Sequence, residues 1–407
     1  MVIDINDLLS DAARSGPPLF FPEPEVPISF NFDQGLAAPE SFPDKDMTRL
    51  TQKVFDRDGS GVLDYFDPDT GYEELVFGYK GLRDELAARY LKRDGRDLGD
   101  RGFILTSGSV QAISLAANAF INPGDVVVVE SASFPYAMRY MEVAGAEILT
   151  VPVDKDGMNV DVLVELISQI QAEGKKLKMV YTIATFQLPT GAVMSLDRRK
   201  QLVALAKEHQ FIVLEDNVYG ELRFEGEPVP TLLSLDDSGL VIQADAFSKT
   251  IAPGLRLGWM AGESDAIAAL GAVRQDLGVS QWICRLMTEY LREGLFDPHL
   301  AKVTVLYKSK RDAAMAAINQ SCGDYVSYTA PQGSFYLWLE IDERVDWERA
   351  AQMAAEAGVF FRPGEKFMDV SDNRQFVRLA YSHVKEPVIT AGLTELGNIL
   401  KQCARQT

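Results

Sequence analysis

The chain of 407 residues carries 59 acidic and 40 basic side chains, which gives a formal net charge of −19. Such a charge repels phosphate backbones and anionic lipid surfaces, so we predict neither a nucleic-acid partner nor a membrane partner. Hydrophobic residues make up 47% of the chain and charged residues 24%, a composition typical of a globular protein with a sizeable core. The length favours two or three domains.

The three cysteines, Cys284, Cys322 and Cys403, are far apart and odd in number. This usage favours a reducing, cytoplasmic location. The first 15 residues are acidic and lack the basic and apolar regions of a signal peptide, and no apolar run approaches the length of a membrane span. The three histidines form no metal-binding pair, and we predict no metal site.

An extended, packed arm is predicted for residues 16–43, which are rich in Pro and Phe. Between residues 100 and 262, short β-rich runs alternate with helical stretches. This alternation predicts an α/β fold with a mostly parallel sheet, whose ligands bind at the carboxyl ends of the strands. The predicted strands are Val126–Val129, Ile148–Val153, Met179–Ile183, Phe211–Leu214 and Leu257–Ala261, and the predicted helices are Ser109–Phe120, Val160–Ala172 and Leu196–His209.

The remainder predicts a small α+β domain. Residues 264–319 have a helical pattern, with a long helix over Leu300–Asn319. We therefore expect an N-terminal arm over 1–45, a large domain over 46–296 and a small domain over 297–407. The last predicted elements are strands Gly333–Ile341, Val359–Arg362 and Phe376–Tyr381 and a closing helix Glu386–Arg405.

Four short motifs predict chemistry when they are taken together. Lys249 follows Ser248 and precedes a Pro-Gly turn and Arg256, an arrangement that suits a reactive amine near an anion-binding arginine. An exposed lysine and arginine in a loop are the alternative. Ser109 and Val110 open a helix after a strand-like run, and such a helix start binds phosphate or is simply capped by its serine.

The other two motifs follow apolar strands. Asp216 lies at the carboxyl end of one predicted strand, and Tyr219 comes three residues later. Phe134 follows another strand and is placed to stack on a flat ligand. An acidic strand-end loop and a core aromatic residue are the ordinary alternatives for these two motifs.

Together these residues resemble the class I/II aminotransferases of fold type I, with the nearest likeness to the kynurenine/2-aminoadipate aminotransferase-like branch. The phrase Ile242–Lys249 (IQADAFSK) is very similar to the lysine motif of that branch. The likeness extends from Phe32-Asp33-Gln34-Gly35-Leu36 to Phe376–Tyr381, and so covers most of the chain. The resemblance implies a large domain with a mostly parallel sheet, a small α+β C-terminal domain and pyridoxal 5′-phosphate (PLP) as the cofactor.

The resemblance also implies residue roles. Lys249 forms a Schiff base with PLP and then moves protons, Asp216 pairs with the ring nitrogen, and Tyr219 binds the phenolic oxygen. Arg378 binds the substrate α-carboxylate through two hydrogen bonds, and Gly35 lies at the substrate entrance. The residues assigned to stack on the ring or to hold the phosphate are Phe134, Ser109, Val110, Ser248 and Arg256.

Leu188 stands where the family has an asparagine that donates to the phenolic oxygen, next to Pro189-Thr190-Gly191. Leucine cannot donate, so we predict that the pKa of the Schiff base is higher than in typical members. Gln187 is a possible substitute donor. Ala184 and Ala246 replace a familiar proline and serine, and a phosphate contact is expected to be lost with the serine.

Within the loop 56–80, the stretch between Tyr65 and Gly81 holds an apparent insertion where the family has a tyrosine that reaches the partner's phosphate. Tyr65, Tyr72 and Tyr79 are the candidates for that role. The acidic residues from Asp56 to Asp67 fit much of a calcium-loop pattern, but we interpret them as an acidic loop.

The resemblance implies a homodimeric aminotransferase that acts on an amino acid and a 2-oxo acid. Elimination, replacement, decarboxylation or cyclisation begins with the same bound amino acid, and the fold does not choose among these reactions. A PLP-sensing transcription regulator is a third possibility, which the absence of an N-terminal helix-turn-helix pattern disfavours.

Overall fold

The structure, a computed structural model, describes residues 5–10, 13, 26–368 and 374–405. Part of the predicted arm, residues 16–25, lies outside the described residues. From Val26 onward the arm is extended, and strand β1 (Phe30–Asn31) pairs in parallel with Val359–Phe360 far along the chain. Phe32 is buried in the C-terminal core, which anchors this segment to the rest of the molecule.

A seven-stranded sheet forms the centre of the large unit, in the order β2-β10-β9-β8-β7-β3-β4. Only β10 runs antiparallel to its neighbours, so the predicted mostly parallel sheet is confirmed. Both faces of the sheet are covered by apolar clusters, as expected for helices on either side. The strands are β2 Phe103–Thr106, β3 Val126–Glu130, β4 Glu147–Val151, β7 Leu177–Thr182, β8 Ile212–Asp216, β9 Val241–Ala246 and β10 Gly258–Ala261, with a hairpin of β5 Val153–Asp154 and β6 Gly157–Met158 beside them.

Two helices of this unit begin at residues whose side chains cap the helix N-terminus. Asn159 and Ser195 accept hydrogen bonds from the backbone of Val162 and Arg198 at two helix starts, which is the usual N-cap interaction. The helices are α1 Asp44–Asp58, α2 Glu73–Phe77, α3 Lys80–Asp94, α4 Ser109–Phe120, α5 Pro135–Val143, α6 Val160–Ala172, α7 Leu196–His209, α8 Leu232–Leu235, α9 Ser264–Ala272 and α10 Gln281–Arg292.

The C-terminal part packs helices against a four-stranded antiparallel sheet in the order β11-β12-β15-β14. A third apolar cluster lies between this sheet and its helices. The elements are α11 Phe296–Ser321, β11 Val326–Ser327, β12 Tyr336–Ile341, α12 Trp347–Glu356, β13 Val359–Phe360, β14 Arg362–Pro363, β15 Gln375–Ala380 and α13 Glu386–Cys403.

Several predicted bounds were wrong. The helical stretch 264–319 is three helices, because positive φ at Leu277 and Gly278 ends the first helical run and positive φ at Gly294 ends the second. The strand expected from Gly333 begins only at Tyr336, since Ser334 has a φ of 71°. The predicted strand Val359–Arg362 is divided between two sheets: β13 pairs with β1 and β14 with β15.

Candidate active site

The carboxyl ends of the central strands meet at one edge of the sheet, and most predicted site residues follow them directly. This is the position at which open α/β sheets bind ligands. The residues that follow β2, β3, β7, β8 and β9 are, in that order, Ser109 with Val110, Phe134, Leu188, Asp216 with Tyr219, and Ser248 with Lys249.

Lys249 lies half-buried in the turn after β9. Its Nζ donates to the carbonyl of Gly35, 2.8 Å away. The same nitrogen lies 5.5 Å from the ring centre of Tyr219 and 5.8 Å from that of Phe335. The amine is therefore held within aromatic walls, with Gly35 of the N-terminal segment as its hydrogen-bond partner.

Asp216 is the last residue of β8 and is buried. Its Oδ2 accepts from the Tyr181 hydroxyl at 2.9 Å. Burial raises the pKa of the Asp216 carboxyl to about 6, although the Tyr181 hydrogen bond and the nearby Lys249 charge oppose this rise. A buried carboxylate in this state favours a cationic partner such as a protonated ring nitrogen. Sequence reasoning missed Tyr181, since an aromatic residue in a buried strand resembles a core residue.

The raised pKa predicts a pH effect on the coenzyme-free protein. At pH values below 3.8, the pKa of Asp216 in the unfolded chain, the carboxyl is neutral in the folded and in the unfolded protein. As the pH rises from 3.8 toward about 6, it ionises in the unfolded chain first. The free energy of unfolding therefore falls over this window, by roughly 3 kcal/mol from Asp216 alone. Thermal unfolding between pH 3.5 and 6.5 is expected to show Asp216→Asn with a flatter profile than the unsubstituted protein.

A carboxylate on the surface provides the control for this measurement. Glu208 is exposed near the end of α7, and Glu208→Gln is expected to reproduce the unsubstituted profile. Equal slopes for Asp216→Asn and the unsubstituted protein would show that the carboxyl is not buried as described.

The start of α4 and the guanidinium of Arg256 form a cradle that suits an anion. Gly108 precedes it with a φ of +89°, and no side chain caps the helix, so the serine-cap alternative for Ser109 was wrong. A Cβ on Gly108 would lie 2.9 Å from Nη2 of Arg256. That nitrogen donates to the Ser107 carbonyl at 2.8 Å. The bare backbone, the helix N-terminus and the guanidinium thus converge on one small space.

Two tyrosines meet at the opposite end of the site. The hydroxyl oxygens of Tyr219 and Tyr336 lie 2.8 Å apart, and both residues are buried. Burial raises the pKa of Tyr219 well above its usual value, so its hydroxyl remains protonated and able to donate. None of the sequence motifs assigned a role to Tyr336.

Leu188 is buried beside this region and has no donor, as predicted. The suggestion that Gln187 replaces the missing donor was wrong. The Gln187 Nε2 donates to the Ala132 carbonyl at 2.6 Å, and its Oε1 accepts from the backbone and the hydroxyl of Thr190. Both polar atoms of the amide are therefore engaged, the nitrogen with the loop after β3 and the oxygen within its own loop.

A cavity of about 380 Å³ opens beside Phe134, and both Gly35 and Arg378 contribute to its wall. Phe134 is half-buried at the start of α5, with its ring centre 5.2 Å from that of Tyr136. The other lining residues are Asn31, Asp33, Gln34, Leu36, Pro135, Phe360, Arg362, Lys366 and Phe367. The cavity therefore connects the predicted carboxylate-binding arginine with the predicted stacking ring.

Arg378 is held by an unexpected carboxylate. Its Nη2 donates to the backbone carbonyl of Asp33 and lies 3.4 Å from Asp33 Oδ1. Arg362, next to Arg378 across the strands β14 and β15, forms a two-pronged ion pair with Asp33. The Nε of Arg378 is buried without a hydrogen-bond partner, which suits an arginine that awaits an anion. Asp33 and Arg362 are separated by most of the chain, and no sequence pattern joined them.

Acidic side chains of the segment 56–67 form ion pairs. Arg285 bridges Asp58 and Asp67 at 2.9 and 3.0 Å, which occupies two of the oxygens that the calcium pattern requires. The described residues contain no cluster of three or more His, Cys, Asp or Glu side chains arranged to hold a metal ion. Tyr79 is half-buried, and its ring centre lies 4.5 Å from the guanidinium carbon of Arg285. Tyr65 and Tyr72 are exposed.

These features fit PLP. The cradle at Gly108 suits its phosphate, the buried carboxyl of Asp216 suits its ring nitrogen, and the amine of Lys249 bonds to Gly35, which lines the cavity. None of the helices within the described stretches combines the length and apolar character needed to cross a bilayer.

Comparisons with known proteins agree with this site. The model of the family "Aminotransferase class I and II" matches residues 73–396. Aromatic-amino-acid aminotransferase 1 of Thermococcus litoralis is 36% identical over 90% of this chain and 87% of its own length. The 2-aminoadipate transaminase of Thermus thermophilus is 30% identical over 92% and 91%.

A solved structure supports the same assignment. The kynurenine aminotransferase of Pyrococcus horikoshii, determined in complex with PMP, superimposes with a TM-score of 0.90 at 30% identity and covers 99% of both chains. The chain therefore belongs to the class I and II aminotransferases of fold type I, and it is a PLP-dependent transferase.

Proposed function

We propose that Lys249 binds PLP covalently and moves the proton during transfer of an amine from a large, neutral amino acid, foremost an aromatic one, to a 2-oxo acid. The observation that carries this proposal is the position of the Lys249 amine, 2.8 Å from the Gly35 carbonyl. Gly35 lines the same cavity as Arg378. A substrate held there by its α-carboxylate presents its Cα to the lysine.

PLP supplies an aldehyde that condenses with amines and a ring that accepts electrons. We assign its phosphate to Ser109, the Val110 backbone, Ser248 and Arg256, and its ring face to Phe134. Asp216 would hold the proton on the ring nitrogen, and the Tyr219 hydroxyl would donate to the phenolic oxygen. Leu188 would pack as an apolar contact near the substrate.

The lining of the cavity supports a neutral substrate. Aromatic and apolar side chains, including Tyr136, Phe360 and Phe367, form much of its wall. Asp33 forms its two-pronged ion pair with Arg362, and the unbonded Nε of Arg378 is available to the α-carboxylate. A second, side-chain carboxylate would have to compete with Asp33, which costs binding energy. The name of the Thermococcus litoralis relative, an aromatic-amino-acid aminotransferase, agrees with this preference.

Single-turnover measurements with an amino-acid panel test the proposal. Phenylalanine and tyrosine are expected to convert the PLP-loaded protein to its pyridoxamine form with release of the 2-oxo acid, at least tenfold more efficiently than glutamate or 2-aminoadipate. Release of ammonia or carbon dioxide without the pyridoxamine form would instead indicate elimination or decarboxylation. Equal efficiency for glutamate and phenylalanine would refute the neutral preference.

Asp33→Asn is the matched variant for this panel. It removes the negative charge beside Arg362 and nearly preserves the side-chain volume, so kcat/KM for glutamate is expected to rise relative to phenylalanine. An unchanged ratio would show that Asp33 does not set the preference.

We further propose a homodimer and a cytoplasmic location. Support for the dimer comes from the exposed apolar side chains of Leu63, Tyr65, Leu277 and Trp282, which line one surface groove. Tyr65 and the exposed Tyr72 remain candidates to reach the partner's phosphate. Three buried cysteines without disulfides favour a reducing compartment.

A further inference from the structure

The Tyr219–Tyr336 contact is a hydrogen bond between two parts of the site that come from different sheets. Tyr219 follows β8 in the large unit, whereas Tyr336 begins β12 in the C-terminal sheet. Their hydroxyl oxygens are 2.8 Å apart, and their ring centres are 5.7 Å apart in an edge-to-face arrangement. Tyr336 is 4% exposed, so water does not compete freely for this hydrogen bond.

Two neighbours hold Tyr336 in this position. A Cβ on Gly35 would lie 1.8 Å from the Tyr336 hydroxyl, so the absence of a side chain there makes room for the hydroxyl. The guanidinium of Arg378 lies over the Tyr336 ring, 4.6 Å from its centre. A cation over the ring draws electron density from it and makes the hydroxyl a better donor.

We propose that Tyr336 is a positioning residue that donates its hydroxyl hydrogen to Tyr219 and so directs the Tyr219 hydrogen toward the coenzyme's phenolic oxygen. This inference rests on the proposed function. The hydroxyl pair serves in place of the donor that Leu188 cannot provide, since the Gln187 amide is bonded to Ala132 and Thr190. Tyr336 also connects the carboxylate-binding Arg378 with Tyr219.

The expected consequence has a defined sign. A donor that is itself hydrogen-bonded donates more strongly, so the Tyr336 hydroxyl strengthens the bond from Tyr219 to the phenolic oxygen. Loss of that hydroxyl makes the phenolic oxygen more basic, and the proton shared with the Lys249 nitrogen is then released at higher pH. The reverse polarity, with Tyr219 donating to Tyr336, predicts the opposite shift.

Tyr336→Phe tests the inference, because it removes the hydroxyl and keeps the ring under Arg378. We expect the pH midpoint of the absorption change of the PLP-loaded protein to rise by about one unit, and kcat to fall about tenfold with little change in KM, as for one lost hydrogen bond. The double variant Tyr219→Phe/Tyr336→Phe is expected to match Tyr219→Phe alone, since Tyr336 acts through Tyr219.

Tyr307→Phe is the matched control. Tyr307 is equally buried and packs against Phe335, but its hydroxyl bonds to Ala38 and Ser41 outside the site. For Tyr307→Phe, the pH midpoint of the absorption change is expected to equal that of the unsubstituted protein. An unchanged or lowered midpoint in Tyr336→Phe, or additive effects in the double variant, would overturn the inference. The midpoint is measured without substrate, so it is informative even if the unsubstituted protein fails to transaminate.

Discussion

Lys249→Ala is expected to abolish the covalent bond to PLP and to lower the rate of amine transfer by about 10³-fold or more. The substitution removes both the nucleophile and the general acid–base, each of which contributes factors of this size. The phosphate cradle at Gly108 and the Asp216 carboxyl are left in place, so the variant is expected to bind the coenzyme without a covalent link. Borohydride reduction followed by peptide mass analysis will locate the label.

Two further measurements separate chemistry from folding. Lys366 lines the cavity beside Phe134, so Lys366→Ala is the control. It is expected to retain the reduced label on the peptide that contains Lys249. Added methylamine is expected to restore part of the proton transfer in Lys249→Ala, because a small amine fits the space that the side chain leaves. A label that persists in Lys249→Ala would assign the covalent role to another lysine.

The sequence predicts helices best where local signals suffice. The helices Ser109–Phe120, Val160–Ala172 and Leu196–His209 have the predicted bounds, since periodic apolar residues and caps are encoded within a few positions. Strand β9 was not among the predicted strands, because Gln243 and Asp245 interrupt its apolar run. Gln243 is nevertheless buried, paired with Tyr90 and Glu215.

In the candidate site, too, some residues are predicted by local motifs and others are brought in only by tertiary packing. Lys249, Asp216 and Tyr219 follow strands whose ends meet by the rules of parallel sheets, so local motifs located them. Asp33 and Tyr336 reach the site from opposite ends of the chain, and their partners are fixed only by how the C-terminal sheet packs on the N-terminal segment. Such contacts carry no local signature in one sequence.

Asp216→Asn is expected to lower kcat by roughly 10³-fold while KM changes far less. The substitution retains the volume and an oxygen that accepts from Tyr181, but it removes the negative charge that holds a proton on the ring nitrogen. A preorganised charge in a buried site contributes effects of this size. Burial raises the pKa of Asp216 to about 6 in the coenzyme-free protein, and a cationic ring nitrogen placed against it would lower that pKa and keep the carboxyl ionised at neutral pH.

A change of coenzyme distinguishes the effect of the ring charge from the effect of the side-chain geometry at position 216. Asp216→Asn loaded with a PLP analogue methylated at the ring nitrogen carries a permanent ring charge, and it is expected to regain part of the lost rate. Tyr181→Phe removes only the hydrogen bond at 2.9 Å and is expected to cost about tenfold or less. If Asp216→Asn stays within tenfold of the unsubstituted rate, the ring does not depend on this carboxylate, because a neutral amide at the same position would then serve equally well.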